Sequence, residues 1–188
     1  MRGSGGLCAV SDGPKIAIGT LLLIRHAKAT GQALDAPLTP EGEVQAAQLA
    51  ERLAELGITR IVSSPWRRAV DTVRPLAARL GLKIETDGRL TERVLSGADL
   101  TDWMTHLRSS FADDELALMG GESGTTARAR IVRALADARD PRGLTAVVTH
   151  GNLLALALGL DFGGWATLCN PDVWTLDAEG RAARLETA

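Results

Sequence analysis

The chain has 188 residues, of which 45% are hydrophobic and 23% charged, and its formal net charge is −2. This length suits one compact domain with a sizeable core. The chain lacks the basic excess typical of nucleic-acid-binding proteins, so we expect no nucleic-acid partner. Its two cysteines, Cys8 and Cys169, lie far apart and without metal-ligand spacing, which argues against a disulfide framework or a zinc site. No apolar run approaches the roughly 20 residues of a membrane span and no signal peptide is evident, so we expect a cytoplasmic protein with no membrane partner.

The N-terminal segment and the first strand differ sharply in composition. Residues 1–14 are rich in Gly and Ser, and the opening MRGS resembles a cloning-vector start. We therefore predict a disordered tail or vector extension over 1–14 and a single domain over 15–188. The run IAIGTLLLIR at 16–25 is continuously apolar, which is typical of a strand buried on both faces, although its Gly19 can delay the start.

A helix is predicted over 38–57. Thr39 can cap it, Pro40 suits its first position and Gly57 can end it. The apolar residues within it recur at helical spacing and predict its buried face. They are Val44, Ala47, Leu49, Leu53 and Leu56.

The next three elements alternate strand, helix and strand. The segment ITRIVSS at 58–64 predicts a short strand. A helix is predicted over 67–81, with Pro75 as a potential kink and Gly81 as its C-terminal cap. The segment LKIET at 82–86 predicts a third strand.

The pattern is less regular over residues 88–123, where we predict one short helix near 100–110. A helix follows over 124–139, and LTAVVTHG at 144–151 predicts a strand. The segment 152–160 is apolar on nearly all sides, so we expect a buried helix.

The last predicted element is a hairpin over 173–186 that turns at AEG. Strands that alternate with helices in this way predict an α/β fold with a largely parallel sheet. Ligands bind such sheets at the carboxyl ends of the strands.

Polar residues with the capacity for catalysis stand at or just after the carboxyl ends of three predicted strands. They are Arg25 and His26, then Ser63 and Ser64 leading into Arg67 and Arg68, and finally His150. The two Ser residues lack the G-x-S-x-G context of a serine nucleophile, and no P-loop or metal-ligand spacing is found. Arginine forks match phosphate oxygens, and a histidine nitrogen can attack phosphorus. A phosphoryl-transfer site is therefore predicted, with Glu92 as the best candidate for the acid that protonates the leaving oxygen.

Six segments in order resemble the histidine phosphatase superfamily, in its phosphoglycerate-mutase-like branch. They are RHAKAT (25–30), LTPEGEVQA (38–46), SSPWRRAVDT (63–72), LTER (90–93), GGES (120–123) and VVTHGN (147–152). In addition, CNPDVWTL (169–176) resembles the family's segment before the last strand. The resemblance implies a single histidine phosphatase domain over 15–188, built as a three-layer sandwich with a mostly parallel central sheet flanked by helices.

The resemblance also implies roles for individual residues and no metal or cofactor. His26 would be the phosphorylated nucleophile, Arg25 and Arg68 would bind the phosphate, His150 would complete the pocket, and Glu92 would be the proton donor. Gly151 would let the backbone approach the ligand.

Other positions are expected to contact the substrate. They are Lys28, Thr30, Gln32, Arg67 and Asn152. Trp66 and Trp103 flank site segments and are expected at the mouth of the site, whereas Glu122 in GGES is interpreted as part of a turn. The loop departs from the family pattern at Ala27, Ala29 and Gln32, which leaves its secondary contacts open.

These inferences favour a metal-independent phosphatase that hydrolyses a phosphomonoester of a small metabolite through a phosphohistidine. A phosphoglycerate-type phosphomutase is the main alternative, although only 29 residues separate Glu92 from Glu122, which leaves little room for a carboxylate-binding cap. A phosphohistidine-protein phosphatase and a non-catalytic phosphate-binding domain are less favoured, because Glu92 accompanies both histidines. The oligomeric state is left open.

Overall fold

The computed structural model describes residues 16–185, so the tail predicted at 1–14 lies outside the described residues. The strands are β1 (Leu21–Arg25), β2 (Ile58–Ser63), β3 (Ile84–Thr86), β4 (Leu144–Thr149), β5 (Asp172–Leu176) and β6 (Ala182–Arg184). The helices are α1 (Pro40–Leu53), α2 (Arg67–Leu80), α3 (Trp103–Ala112), α4 (Gly124–Ala138), α5 (Gly151–Leu158) and α6 (Phe162–Ala166). Short 3₁₀ turns occupy Ala54–Leu56 and Gly88–Leu90.

The strands form one sheet in the order β3-β2-β4-β1-β5-β6. The pairs β1–β4, β2–β4 and β2–β3 are parallel, while β5 lies antiparallel to β1 and to β6. Helices cover both faces, and the predicted three-layer α/β architecture is thereby confirmed, including the terminal hairpin.

The central strand β1 is apolar along its length because each of its faces packs against a different core. Leu21 and Leu23 belong to a cluster with α4 and α5, whereas Leu22 and Ile24 belong to a cluster with α1 and α2. Successive strand residues point to opposite faces, so a doubly covered strand has no position left for a polar side chain.

The buried face of α1 differs from the prediction. Val44 and Ala47 are exposed, while the buried positions are Gly42, Ala46, Leu49, Ala50 and Leu53. The cause is a close backbone contact, since a Cβ built at Gly42 would lie 2.0 Å from the Lys28 carbonyl oxygen. This contact turns the Gly42 side of the helix inward, and helical periodicity alone cannot show it.

Two expectations about boundaries agree with the structure, and one helix was not predicted. β1 begins at Leu21, after Gly19, which takes a φ of +78° and whose N–H donates to the Gly143 carbonyl. α2 runs through Pro75, within the range predicted for it. The short helix α6 has the sequence FGGWA, which carries no helical signal; it depends on Asp161, whose carboxylate accepts from the Gly164 N–H at 2.8 Å.

The parallel register brings the predicted catalytic residues to one edge of the sheet. Arg25 pairs with Thr149 across β1 and β4, and the His26 N–H donates to the Thr149 carbonyl at 3.1 Å. Similarly, the Ser64 N–H donates to the Val148 carbonyl at 2.9 Å, immediately after β2. The segments that leave β1, β2 and β4 therefore start side by side, as the rule for parallel sheets requires.

Candidate active site

A cavity of about 480 Å³ opens at this edge of the sheet. Six of the residues predicted for the site line it, namely Arg25, His26, Lys28, Gln32, Glu92 and Asn152. Arg68 and His150 lie behind this wall, 1% and 0% exposed, with the His150 ring centroid 5.1 Å from that of His26.

The contacts of His26 specify one tautomer. Its Nδ1 lies 2.7 Å from the Ala27 carbonyl oxygen, which can only accept, so Nδ1 carries the proton. Its Nε2 accepts from Arg68 Nε at 3.1 Å, so Nε2 holds a lone pair. Burial lowers the pKa of His26 to about 4. The Ala27 hydrogen bond raises this pKa, whereas the positive charges of Arg68 and Arg25 lower it further. The ring is therefore neutral at pH 7, with its lone pair on Nε2.

The Arg68 side chain is anchored at several points. Its Nη1 donates to the carbonyls of Gln32 and Ala33, at 3.2 and 2.9 Å, and its guanidinium carbon lies 4.5 Å from the centre of the Trp66 ring. These contacts hold a buried cation directly beside His26. Burial lowers its pKa, but an arginine remains charged at working pH.

Ser64 holds the His150 ring in place. His150 Nε2 lies 2.8 Å from Ser64 Oγ, and that hydroxyl also accepts from the Trp66 N–H at 3.3 Å. Ser64 donates to Nε2 when the ring proton is on Nδ1 and accepts from Nε2 when the proton is there. Burial, followed by the proximity of His26, holds the pKa of His150 well below its usual range. Ser64 therefore has a positioning role that the sequence did not reveal.

Arg25 projects from the end of β1 and is held on two sides. Its Nη1 donates to the Leu168 carbonyl at 2.7 Å, and a Cβ built at Gly151 would lie 3.0 Å from its guanidinium carbon. Gly151 lines the cavity, and its missing side chain leaves the room that Arg25 occupies beside it.

Three potential donors near His26 have no hydrogen-bond partner among residues 16–185. They are Arg25 Nε, Arg68 Nη2 and His150 Nδ1. Buried donors are rarely left unpaired, because each lost hydrogen bond costs about 1–3 kcal/mol. Two guanidinium donors and one imidazole donor suit an anion with several oxygens, such as a phosphoryl group.

Glu92 lines the cavity and binds the N-terminus of α5. Its Oε2 accepts from the Asn152 N–H at 3.1 Å, and its Oε1 accepts from the N–H groups of Leu153 and Arg93 at 3.0 and 2.9 Å. A carboxylate is stabilised at a helix N-terminus, so α5 fixes the direction in which Glu92 points. Asn152 was also expected to contact the substrate. Its side-chain Oδ1 is buried and has no hydrogen-bond partner among residues 16–185.

The loop after His26 is held by α1. The Lys28 N–H donates to Gln45 Oε1 at 2.9 Å, and the Lys28 ammonium lies 2.5 Å from Glu41 Oε2 at the exposed rim. Two predicted contact residues lie off the cavity wall: Thr30 hydrogen-bonds to the Pro37 carbonyl, and Arg67 pairs with Asp71 at 3.3 Å.

Residues beyond the predicted set also build the site. Thr72 Oγ1 accepts from the Ala27 N–H at 2.9 Å, and Asn170 Nδ2 donates to the His26 carbonyl at 2.6 Å, so both fix the backbone around His26. Arg93 is 4% exposed and lines the cavity. All three stand inside motifs quoted above, but residue type alone did not distinguish them from their neighbours.

Glu122 belongs to the framework rather than to the cavity wall. Its carboxylate lies 2.5 Å from Arg130, whose Nη1 also donates to the carbonyls of Arg89 and Thr91. Ser123 caps α4 by accepting from the Thr126 N–H at 3.1 Å. The interpretation of GGES as a turn into the following helix agrees with this geometry.

Residues 16–185 contain neither a metal-binding cluster nor a membrane-spanning helix. No cluster of three or more His, Cys, Asp or Glu side chains is arranged to hold a metal ion. No helix in this part of the chain is long and apolar enough to cross a membrane.

Comparison with known proteins gives both sequence and structural relatives. Residues 21–167 match the histidine phosphatase superfamily (branch 1). The chain is 36% identical over 137 residues to a probable phosphoglycerate mutase GpmB of Enterobacter sp.; this match covers 66% of this chain and 61% of the relative. It is 34% identical over 146 residues to the probable phosphoglycerate mutase GpmB of Salmonella paratyphi A, and this match covers 70% of this chain and 67% of the relative. It thus spans about two thirds of the length of these relatives.

A solved structure with a comparable fold is the mycobacterial glucosyl-3-phosphoglycerate phosphatase in complex with inorganic phosphate. The TM-score is 0.69 at 29% identity, over 89% of this chain and 95% of that one. A Thermus thermophilus protein, TTHB049, gives a TM-score of 0.67 at 26% identity, over 89% and 99%. The match across 21–167, together with the aligned order of the motifs, shows that the chain belongs to the histidine phosphatase superfamily.

Proposed function

We propose that the protein is a metal-independent phosphatase that hydrolyses a phosphomonoester through a covalent intermediate on His26. The observation that carries the proposal is the His26 Nε2 lone pair, which the Ala27 contact enforces, together with three potential donors that have no partner within residues 16–185. A neutral imidazole nitrogen can attack phosphorus, and the donors can bind the oxygens on which charge develops.

The reaction has two displacements. In the first, Nε2 forms a bond to phosphorus while the ester P–O bond breaks, and Glu92 gives a proton to the departing alkoxide. Arg25, Arg68 and His150 hold the three phosphoryl oxygens. In the second, Glu92 takes a proton from water, the water oxygen attacks phosphorus, and the P–N bond breaks to return neutral His26 and inorganic phosphate.

Arg68 also governs access to the nucleophile. In the free protein its Nε donates to the His26 lone pair, so this hydrogen bond must break before attack. A phosphoryl dianion offers Arg68 a stronger, charge-assisted acceptor than a neutral imidazole does. Substrate binding therefore releases Nε2 at the moment when it is needed.

A small phosphorylated metabolite is the proposed substrate, because a cavity of about 480 Å³ lies within the usual range for small-molecule sites. The cytoplasmic location remains a prediction from the sequence. The mutase alternative is supported by the names of the curated relatives. Hydrolysis is favoured here because only α3 and its flanking turns stand between Glu92 and Glu122, and α3 contributes no cation to the cavity wall among the described residues.

The test is release of 4-nitrophenol from 4-nitrophenyl phosphate in the presence of a chelator. We expect turnover by the wild type and by His106→Gln, which alters a histidine on α3 outside the cavity wall, and a loss of at least about 10³-fold in His26→Gln. Folding of the variants is checked by urea denaturation. No turnover by the wild type overturns the phosphatase proposal, and an acid-labile phosphoenzyme that maps to a residue other than His26 overturns the mechanism. Turnover of 3-phosphoglycerate that yields an isomer and requires a bisphosphate primer favours the mutase.

A further inference from the structure

A second chamber of about 560 Å³ adjoins the phosphate site. The two chambers share five lining residues, Gln32, Glu92, Arg93, Leu95 and Trp103, so they form one continuous cleft. Because Glu92 stands at the junction, an ester oxygen protonated by Glu92 would carry its leaving group toward this second chamber.

The walls of the second chamber are largely apolar and include two indole rings. Trp66 is fixed there by Arg68, with the guanidinium carbon 4.5 Å from the ring centre, and by His150 at 4.7 Å between ring centroids. Trp103 is 49% exposed and packs edge-on against Trp165, with centroids 6.3 Å apart. Leu95 and Leu100 complete this part of the wall. Rigid indole faces favour contact with rings and apolar groups.

The charges in this chamber disfavour an anionic leaving group. Among the described residues that line it, Arg93 is the sole cation, whereas Glu92 and Asp99 are both acidic. Arg93 is 4% exposed, and its Nε, Nη1 and Nη2 already donate to the Glu122 carbonyl, Ser110 Oγ and the Leu116 carbonyl. A carboxylate or second phosphate would therefore meet two like charges without a free cation.

Apart from Arg93 and the proposed phosphate ligands Arg25 and Arg68, the cation that lines the first chamber among the described residues is Lys28, at its rim. Its ammonium is paired with Glu41 at 2.5 Å, and both side chains are more than half exposed. Lys28 does not line the second chamber.

We propose that the preferred substrates are phosphate monoesters of uncharged, ring-bearing alcohols, whose leaving group occupies the second chamber against Trp66 and Trp103. This inference rests on the proposed phosphatase function and deepens it. It places small phosphorylated acids, including 3-phosphoglycerate, among the poor substrates.

The test compares three primary-alkyl phosphates, whose leaving alkoxides are similarly basic. They differ in the alcohol that leaves. The leaving group of 2-phenylethyl phosphate is an uncharged alcohol with a ring, that of glycerol 3-phosphate is small and uncharged, and that of 3-phosphoglycerate is small and carries a carboxylate. We expect kcat/KM to be at least about 10-fold higher for 2-phenylethyl phosphate than for either of the others. Equal or higher kcat/KM for 3-phosphoglycerate overturns the inference. Failure to hydrolyse any of these esters or 4-nitrophenyl phosphate instead overturns the phosphatase function itself.

Two variants test the chamber directly, each with a matched control on the same segment. Trp103→Ala is expected to lower kcat/KM for 2-phenylethyl phosphate about 10-fold, because it removes an indole face from the chamber. The kcat/KM for glycerol 3-phosphate should change less than about 2-fold. The control Met104→Ala, which alters a residue off the cleft wall, should change neither value. Asp99→Lys is expected to raise kcat/KM for 3-phosphoglycerate several-fold relative to 2-phenylethyl phosphate, while Asp102→Lys, which lines neither chamber, leaves the ratio unchanged. An equal loss on all three esters in Trp103→Ala, or equal ratios in the two lysine variants, refutes the inference.

Discussion

Replacing His26 by Gln is expected to make the folded protein more resistant to mild acid. Burial lowers the pKa of His26 from 6.5 to about 4, so the unfolded chain binds a proton on His26 at a higher pH than the folded protein does. The contribution of His26 to the free energy of unfolding therefore falls as the pH is lowered from about 6.5 to about 4, and it changes little outside this window. A glutamine has no such titration and should lose this part of the pH dependence.

The size of the effect follows from the two pKa values. Between pH 7.5 and pH 5, an unfolded pKa of 6.5 and a folded pKa of about 4 lower the free energy of unfolding by about 2 kcal/mol. This figure is an upper bound, because His26 is partly exposed at the cavity and solvent screens its neighbours. His150 contributes in the same direction and is retained in both proteins, so it cancels to first order in the comparison.

The assay is urea denaturation of wild type and His26→Gln at pH 7.5 and pH 5, in buffers free of phosphate. The loss of stability on acidification should be smaller in His26→Gln by about 1–2 kcal/mol. His106→Gln, altered on α3, should behave as the wild type does. An identical loss in wild type and His26→Gln would show that His26 does not titrate with a depressed pKa and would refute the reasoning.

Three further predictions concern the residues around His26. Glu92→Gln should lower kcat for alkyl phosphates by about 10²–10³-fold and that for 4-nitrophenyl phosphate far less, since nitrophenolate needs no proton to depart; equal losses on both substrates would contradict the acid role of Glu92. Ser64→Ala should lower kcat/KM about 10-fold by freeing the His150 ring to turn, and Ser64→Thr, which keeps a hydroxyl, should restore it. Ser63→Ala should have little effect, because the Ser63 hydroxyl bonds to the Ser64 carbonyl; the reasoning fails if the threonine variant is as impaired as the alanine variant. Arg68→Lys should weaken binding of inorganic phosphate, measured by calorimetry, by about 10-fold or more. The control Arg67→Lys, which alters a surface pair with Asp71, should bind phosphate as the wild type does. Similar affinities for the two variants would exclude Arg68 from the phosphate site.

Much of the fold followed from local pattern. The run LLLIR could only be a strand covered on both faces, and the capping residues Thr39 and Gly81 marked a helix start and a helix end that the structure retains. The buried face of α1 did not follow, because it depends on the approach of Gly42 to the Lys28 carbonyl, a contact between segments 14 residues apart. Helix α6 was missed for a similar reason: its two glycines conceal it, and the Asp161 cap together with packing of Phe162 on Trp165 holds it in place.

The sequence by itself determined the α/β class, and it predicted the set Arg25, His26, Arg68, Glu92 and His150, because parallel strands deliver whatever follows them to one edge of the sheet. Only the tertiary structure decided which nitrogen of His26 carries a proton, since that depends on the Ala27 carbonyl. It also decided that Ser64 hydrogen-bonds to His150 and that Thr72 and Asn170 hold the backbone around His26. Such choices depend on distances of a few ångströms between segments far apart in sequence, and residue type and spacing carry no information about them.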